Sequence, residues 1–272
     1  MEALAELLVR VSDAAYLALN GLSGRSWLLD ALISLPVDNP LVKAGPVGAA
    51  FVYAWHSGDQ ETETRRRRST LIVTIAALFL VLVTSKTLGE QTFLPRPFVQ
   101  SQSAFHLEGD SLEQSPSLAY RAPQYGEAKR RFDALKSGEV AGNDLISFPS
   151  DHAAFFFALA LGIFLACRRA GTVALAWTVF AILLPRIVTG LHSPLDIAAG
   201  AGLGAAILLP AQWLARRFGR PALDPAAGWT LRHQALAGAL LFLFAFEATN
   251  ALENIRHLGG TGAEIAEAVT GA

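Results

Sequence analysis

Polar and ionisable residues of this sequence gather where apolar runs begin. Residues 147–152 read S-F-P-S-D-H and lead directly into the apolar run that starts at Ala153. A second cluster, H-S-P-L-D at 192–196, also opens an apolar run. Ionisable groups at such positions in a membrane protein are energetically costly, so they are functional candidates by default. The two clusters are therefore the first residues to consider for chemistry.

Three cations lie at or just after the ends of other apolar runs, namely Lys86, Arg96 and Arg186. Two guanidinium groups and an ammonium favour a tetrahedral oxyanion such as phosphate, because a guanidinium binds phosphate oxygens in pairs and an ammonium adds a point charge. Ser150 opens a predicted helix, where free backbone N–H groups and the helix dipole also attract an anion. His152 and His192 beside a bound phosphate fit a nucleophile and a general acid.

Each of these residues also has a purely structural interpretation. Ser193, Pro194 and Asp196 match a capping box with proline at the first helical position, so Asp196 could serve only as a cap. Ser150 could likewise be a simple N-cap. The three cations could be interfacial side chains that extend their charges to water. Zinc is the alternative ligand, since two histidines and an aspartate could hold it, although the neighbouring cations would repel a metal ion.

The composition predicts an integral membrane protein. Of 272 residues, 52% are hydrophobic and only 17% are charged, and the mean hydropathy is +0.37. Soluble domains carry about a quarter charged residues. The single cysteine, Cys167, excludes an internal disulfide and a multi-cysteine metal site. A net charge of −1 gives no indication of nucleic-acid binding.

Hydropathy predicts an all-α bundle with about six membrane-spanning helices, each needing roughly 20 apolar residues. An amphipathic helix over the first 20 residues and a short helix near Ser26 to Leu35, ended by Pro36 and Pro40, are expected before them. The predicted spans are Val42 to Trp55, Thr70 to Leu88, His152 to Cys167, Thr172 to Leu191, Pro194 to Leu214, and Leu236 to Phe246, widened to about Trp229 through Ala251.

Arginines indicate the orientation of the bundle. They cluster at residues 65–68, 168–169 and 216–220, in connections that fall on one side by simple alternation. That side is expected to be cytoplasmic by the positive-inside rule. A topology signal is the favoured interpretation of the four-arginine run, and a lipid-headgroup site is the alternative. The clusters containing His152 and His192 would then face the extracytoplasmic side of a bacterial-type inner or plasma membrane.

Two further features concern loops and helix contacts. The polar segment Val99 to Ser147 is long for a loop in a compact domain, and it is either a lid or binding element or disordered. It contains a predicted helix at Glu127 to Lys136. Gly200 and Gly204 form a G-x-x-x-G that favours close helix approach within the bundle, with a homodimer face as the alternative.

The joint pattern resembles the type 2 phosphatidic acid phosphatase family. Arg186, His192 and Asp196 have the spacing of its Arg, five residues, His, three residues, Asp motif, and residues 149–152 read P-S-D-H where the family has P-S-G-H. Arg96-Pro97 matches a third motif, with Lys86 placed three residues further upstream than in the family. Pro185 replaces the family's serine before Arg186. P-S-D-H, together with F-L-P-R-P-F at 93–98, is similar to the undecaprenyl pyrophosphate phosphatase subgroup.

The resemblance implies a metal-independent hydrolase of a lipid phosphate that needs no cofactor. His192 would attack phosphorus, Asp196 would orient its ring, and His152 would protonate the leaving oxygen. Asp151 is grouped with the phosphate site and is also expected to favour the protonated form of His152. The residues assigned to phosphate binding are Arg96, Arg186, Lys86, Ser150 and Asp151. The expected partner is a membrane lipid substrate.

The same resemblance divides the chain into three parts. Residues 1–38 would form interfacial helices, 39–215 the phosphatase core with the extracytoplasmic loop 99–147, and 216–272 an additional transmembrane helix and tail. A polyprenyl pyrophosphate is the favoured substrate. Phosphatidic acid and phosphatidylglycerol phosphate are alternatives, as is a non-enzymatic lipid transporter or scaffold, which would place charges near the middle of the spans.

Overall fold

The computed structural model describes residues 2–92, 94–102, 105–108, 111–114 and 118–249. They form a helical bundle, which confirms the predicted all-α membrane fold. The helices are α1 (Glu2–Asn20), α2 (Trp27–Asp38), α3 (Pro40–His56), α4 (Glu61–Gln91), α5 (Pro97–Gln100), α6 (Glu127–Lys136), α7 (Asp151–Ala166), α8 (Arg168–Trp177), α9 (Leu184–Val188), α10 (Pro194–Phe218), α11 (Arg220–Arg232) and α12 (Gln234–Thr249). A π-helical segment, Thr178–Leu183, joins α8 to α9 without a break.

Helix α7 lies at the centre of the bundle. It packs against α4, α8 and α10. Its phenylalanines at 155 and 156 have no exposed surface, and Ala153, Ala154 and Ile163 are equally buried. A helix that is covered on every side can be apolar all round, which explains why this run shows no polar face.

Fewer helices satisfy the length and hydropathy of a membrane span than the six predicted. Within the described residues, three do so: Glu61–Gln91, Arg168–Val188 and Pro194–Phe218. Asp151–Ala166 and Gln234–Ala245 are apolar but shorter. Helix α3 is 17 residues long and contains Lys43 and Pro46. The other three predicted spans, Val42 to Trp55, His152 to Cys167 and Leu236 to Phe246, lie on the helices α3, α7 and α12.

The predicted end of the second helix was wrong. Helix α2 continues through Pro36 to Asp38, and Pro40 starts α3. A proline removes only one hydrogen bond when it lies in the last turn of a helix, so the helix tolerates it there. Asn39 separates the two helices and caps α3, because its Oδ1 accepts from the backbone N–H groups of Leu41 and Val42.

Two other predicted boundaries also shift. The arginines at 65–68 lie on the first turns of α4 rather than in a connection. The widened last span divides into α11 and α12 at His233. Its predicted end, at Ala251, lies outside the described residues. Helix α11 packs on α4 and α12 packs on α3, so the added C-terminal helices cover the side of the bundle.

The long segment after α5 is ordered where the structure describes it. It contains a short antiparallel hairpin, Phe105–Glu108 paired with Ser111–Gln114, then α6 and a 3₁₀ turn, Gly142–Asp144. The predicted bounds of α6 are confirmed. Asp38 at the end of α2 accepts from the backbone N–H of Glu127 at 3.0 Å, which fixes the start of α6 against the bundle.

The helix directions bring four helix ends together. Helices α4 and α9 end, and α7 and α10 begin, at the same end of the bundle as α6. The arginine-rich starts of α4 and α8 and the end of α10 lie at the opposite end. Both His152 and His192 therefore belong to the first end, as the sequence predicted.

Candidate active site

A cavity of about 320 Å³ lies among these helix ends. Its wall contains both histidines and the three cations singled out in the sequence. It also contains side chains from α2, α3, α4 and α6. The lining residues used below are Lys43, Lys86, Arg96, Glu127, Arg131, Asn143, Ser147, Asp151, His152, Arg186 and His192.

His192 is held by a tight turn that follows α9. The backbone N–H groups of Leu191 and His192 both donate to the carbonyl oxygen of Arg186, at 2.9 and 3.2 Å. Gly190 makes the turn possible with φ of +76°, and a Cβ there would lie 2.4 Å from the Tyr120 ring. The turn explains the Arg, five residues, His spacing, because it places the two side chains on the same cavity wall.

The two nitrogens of the His192 ring have different surroundings. Nδ1 lies 3.1 Å from the carbonyl oxygen of Ser147, to which it can donate a proton. Nε2 is buried and has no hydrogen-bond partner among the described residues. Burial lowers the pKa of His192 below its ordinary value, and Arg96 acts in the same direction while Asp196 opposes it. A neutral ring with a free Nε2 lone pair has the form of a nucleophile.

Ser147 connects His192 to Asp196, the residue that the sequence analysis expected to orient the His192 ring. The carboxylate Oδ2 of Asp196 is 3.8 Å from Nδ1 of His192, beyond a hydrogen bond. The Ser147 hydroxyl lies between them, donating to Oδ2 of Asp196 at 2.6 Å and lying 3.3 Å from Nδ1. Asp196 also forms the capping box with Ser193. Its capping role and its place behind His192 are therefore both present.

His152 is oriented by its neighbour Asp151. The Oδ1 atom of Asp151 is 2.8 Å from Nδ1 of His152 and also accepts from the His152 backbone N–H at 2.7 Å. This leaves Nε2 of His152 as the atom able to exchange a proton in the cavity. These contacts favour the expected effect of Asp151 on His152 over a role as a phosphate ligand, because a carboxylate repels phosphate oxygens.

The two arginines are held in different ways. Arg96 precedes α5, and its Nε donates to the carbonyl oxygen of Asn143 at 3.1 Å and lies 3.5 Å from the Asp144 carboxylate. Arg186 is 5% exposed, and its Nε has no hydrogen-bond partner among the described residues. A buried guanidinium N–H without an acceptor is costly, so an anion in the cavity would satisfy it.

Two predicted phosphate ligands are placed less favourably. Lys86 is at the rim, where its side chain is 62% exposed and its Nζ lies 3.8 Å from Oε1 of Glu90. Ser150 is fully buried behind the cavity wall. Its hydroxyl accepts from the backbone N–H of Ala153, and its own N–H donates to the carbonyl oxygen of Asp196. The N-cap interpretation of Ser150 matches this geometry.

Comparison with known proteins identifies the family. The PAP2 superfamily matches residues 69–220, which is more than half of the chain. The chain belongs to the PAP2 superfamily. The matched region includes every site residue discussed above except Lys43.

One curated relative of this PAP2 protein is the bacitracin transport permease protein BcrC of Bacillus licheniformis. It is 45% identical over 72 residues, which are 26% of this chain and 35% of the relative. The chain therefore matches about a third of the length of that relative. No solved structure gives a significant match to the chain.

The PAP2 cavity also contains two cations that were not among the site residues predicted from sequence. Lys43 of α3 is 8% exposed and lines the cavity. Arg131 of α6 also lines it and pairs with Asp144, with Nη1 2.7 Å from Oδ1. A charged residue near the start of an apolar run was the available signal for Lys43. The sequence contains no comparable signal for Arg131, because only the fold brings α6 next to the PAP2 motifs.

The cavity wall has an excess of positive charge. Among the described lining residues, five are Lys or Arg and three are Asp or Glu. Without counting the histidines, the difference is two positive charges. Within the described part of the chain, no group of three or more His, Cys, Asp and Glu side chains could hold a metal ion. The donors at this PAP2 site thus suit a phosphate-bearing anion.

Proposed function

We propose that this protein is a membrane phosphatase that hydrolyses a polyprenyl pyrophosphate through a phosphohistidine intermediate. The observation that carries the proposal is the unpartnered Nε2 of His192 in a cavity that also contains His152, Arg96 and Arg186. The family membership supports phosphatase chemistry. The specific substrate is supported by the P-S-D-H sequence and by the number of cations in the cavity.

In the first step, Nε2 of His192 attacks phosphorus while the bond to the leaving oxygen breaks. His152 donates its proton to that oxygen. Arg96 and Arg186 bind the phosphoryl oxygens, whose charge redistributes in the transition state. The Ser147 carbonyl accepts a hydrogen bond from Nδ1–H of His192. Together with Asp196, which lies behind the Ser147 hydroxyl, it stabilises the positive charge on the ring.

In the second step, water replaces the leaving group. His152, now neutral, removes a proton from the water as its oxygen attacks phosphorus. The bond between phosphorus and Nε2 of His192 breaks, phosphate leaves, and both histidines return to their starting forms. Asp151 keeps His152 in one orientation through both steps. Each acid–base role contributes about 10² to 10⁴-fold in rate.

We place the site at the extracytoplasmic face. The arginine-rich ends of α4, α8 and α10 lie at the opposite end of the bundle, and the positive-inside rule assigns such ends to the cytoplasm. A phosphate at the membrane surface with its chain among the spans would be an amphiphile. A soluble phosphate ester would not require a site among membrane helices.

The proposal is tested by phosphate release from purified protein in detergent with a chelator present. The substrates are a polyprenyl pyrophosphate, a polyprenyl monophosphate, phosphatidic acid and phosphatidylglycerol phosphate. We expect the highest kcat/KM for the pyrophosphate, and no effect of the chelator. A preference for phosphatidic acid would redirect the substrate assignment, and an absolute need for a divalent ion would contradict the metal-independent mechanism.

A transporter is the second candidate, because the Bacillus licheniformis relative is named a transport permease. Charges near the middle of the spans would support it. Residues 69–85 of α4 and 197–215 of α10 contain no Asp, Glu, Lys, Arg or His. The charges lie at the helix ends, which favours an enzyme. Lipid movement across vesicles without phosphate release would favour the transporter.

A further inference from the structure

A second cavity, of about 710 Å³, lies at the opposite end of the bundle from the histidines. It is a groove bounded by the first turns of α4, the last turns of α10 and the start of α11. Its wall contains Arg65, Arg66 and Arg216, together with the polar side chains of Ser69 and Gln212. The proposed phosphatase mechanism uses none of these residues.

The arginines outnumber the carboxylates around this groove. Arg65 pairs with Glu61, with Nη2 2.6 Å from Oε1. Asp224 of α11 is the acidic residue in the described wall. Arg66 and Arg216 are exposed, and Nη2 of Arg66 lies 3.5 Å from the carbonyl oxygen of Ala166. If Glu61 is counted with Asp224, the three arginines of the groove exceed its two carboxylates by one positive charge.

The floor of the groove is built from buried polar groups. Gln212 is 3% exposed and donates from Nε2 to the carbonyl oxygen of Thr70 at 2.8 Å and to the Thr74 hydroxyl at 3.1 Å. These bonds join α10 to α4 directly beneath the arginines. The groove is therefore a fixed feature of the bundle rather than a gap between independent side chains.

Exposed aromatic and aliphatic side chains lie on α10 next to the groove. Trp213 and Phe218 of α10 project outward, at 61% and 64% exposed, and their rings meet edge to face at 6.1 Å. Aromatic residues of this kind mark the headgroup level of a bilayer. Leu209 and Leu214 are also exposed on the same helix. A lipid with its phosphate beside the arginines would thus have apolar surface next to it for its chains.

We propose that this groove binds the phosphodiester headgroup of an anionic phospholipid. Arg66 and Arg216, on facing helices, bind the phosphate oxygens, and Arg65 adds positive charge from within its ion pair. Basic pockets between membrane helices on the cytoplasmic side are suited to acidic lipid headgroups. The arginine run then has a binding role besides setting orientation, and the site is separate from the histidine cavity.

Native mass spectrometry of the full chain in detergent tests this proposal. Phosphatidylglycerol, phosphatidylcholine and inorganic phosphate are titrated separately. The test variant is Arg66→Gln with Arg216→Gln, and the control is Arg169→Gln, which removes an exposed arginine from the start of α8 outside the groove. Phosphatidylglycerol is a phosphodiester and has no terminal phosphate for the proposed phosphatase to release. Its binding is therefore measured independently of hydrolysis.

We expect the wild type and Arg169→Gln to bind phosphatidylglycerol with the same affinity and to prefer it over phosphatidylcholine. The double variant should bind roughly tenfold more weakly or worse, because charged hydrogen bonds to phosphate are lost. Equal binding by the double variant would overturn the proposal. Displacement of the lipid by millimolar inorganic phosphate would instead assign the groove to a free anion.

The double variant Arg66→Lys with Arg216→Lys keeps both positive charges and serves as the control for correct folding. The melting temperature of this variant should rise when phosphatidylglycerol is added, as for the wild type, and the rise should be absent in the glutamine pair. If the glutamine pair does not fold, the single variant Arg216→Gln replaces it, and an unchanged response to the lipid there would also overturn the proposal.

Discussion

At the scale of single residues, the chemistry depends on which nitrogen of each histidine is free. His192 is held through Nδ1 by the Ser147 carbonyl, and His152 is held through Nδ1 by Asp151. Both rings therefore present Nε2 to the cavity. A hydrogen bond to one ring nitrogen fixes the form of the other. The two histidines differ in their partners, which suits one as a nucleophile and the other as an acid and base.

Ser147 is expected to position His192 rather than to touch substrate. Ser147→Ala removes the hydroxyl between Asp196 and the ring, which is worth about 1 kcal/mol and so roughly five- to tenfold in kcat. KM should change little. The control is Ser193→Ala, which removes the other hydroxyl near Asp196 and should lower the melting temperature with a smaller effect on kcat. Equal effects of both substitutions on kcat would contradict the role of Ser147 in positioning His192.

The pH dependence of the reaction follows from the environment of His192. Its pKa is lowered from the ordinary value of 6.5 by burial, so the neutral, nucleophilic form persists to lower pH. The limb of the profile set by His192 should fall as the pH decreases through this lowered pKa. A second limb, at higher pH, should follow loss of the His152 proton that the first step uses. The measurement is kcat/KM against pH, with the ionisation of the substrate titrated separately by phosphorus NMR. An acid limb, on which activity falls as the pH decreases, centred above 6.5 and not explained by the substrate would contradict this assignment.

At the scale of elements, the site depends on how closely α10 approaches α7. A Cβ on Gly200 would lie 2.3 Å from the carbonyl oxygen of Ser150, and one on Gly204 would lie 2.4 Å from that of Ala154. The Ser150 N–H donates to the Asp196 carbonyl across the same contact. The G-x-x-x-G therefore packs inside the bundle, as favoured from sequence. It brings the motif containing His152 against the motif containing Asp196.

Gly200→Ala should separate the two motifs. Because the added methyl meets backbone at 2.3 Å, α7 or α10 must shift, and a displacement of about 1 Å at a site can cost roughly 10²-fold in rate. The matched control is Gly202→Ala, where a Cβ would meet nothing within 4 Å. Steady-state kinetics and melting curves of both variants make the comparison. Equal activity of the two variants would show that this approach does not position the site.

The sequence predicted elements better than their contacts. The bounds of α6 and the positions of both histidine motifs follow from local patterns of apolar, charged and cap residues. The approach of α6 to the cavity could not be predicted, because Arg131 reaches Asp144 through tertiary packing. The bridging hydroxyl of Ser147 was equally hidden, since its residue type and position are also those of an ordinary turn.

At the scale of the whole molecule, the charged residues divide between two ends of the bundle. The histidine cavity occupies one end and the arginine groove the other. The sequence predicted this separation from the alternation of apolar runs. Three of the predicted spans lie on helices that also have the length and hydropathy of a membrane-crossing helix. The predicted domain division and the homodimer stay predictions.

The two ends should lie on opposite sides of the membrane. With Cys167→Ser as background, Val140→Cys in the segment before the histidine motif should react with a membrane-impermeant maleimide in intact cells. Arg169→Cys should react only after the membrane is opened. Both positions are exposed. The reverse pattern would place the histidines on the cytoplasmic side and overturn the proposed orientation.

The central claim is that Nε2 of His192 forms a bond to phosphorus. The most direct measurement is rapid quenching of a single turnover with a polyprenyl pyrophosphate labelled at its terminal phosphate, followed by peptide mapping. We predict base-stable, acid-labile label on the peptide that contains His192, and neither label nor phosphate release with His192→Ala. Label on another residue, or release by His192→Ala at the wild-type rate, would contradict the account.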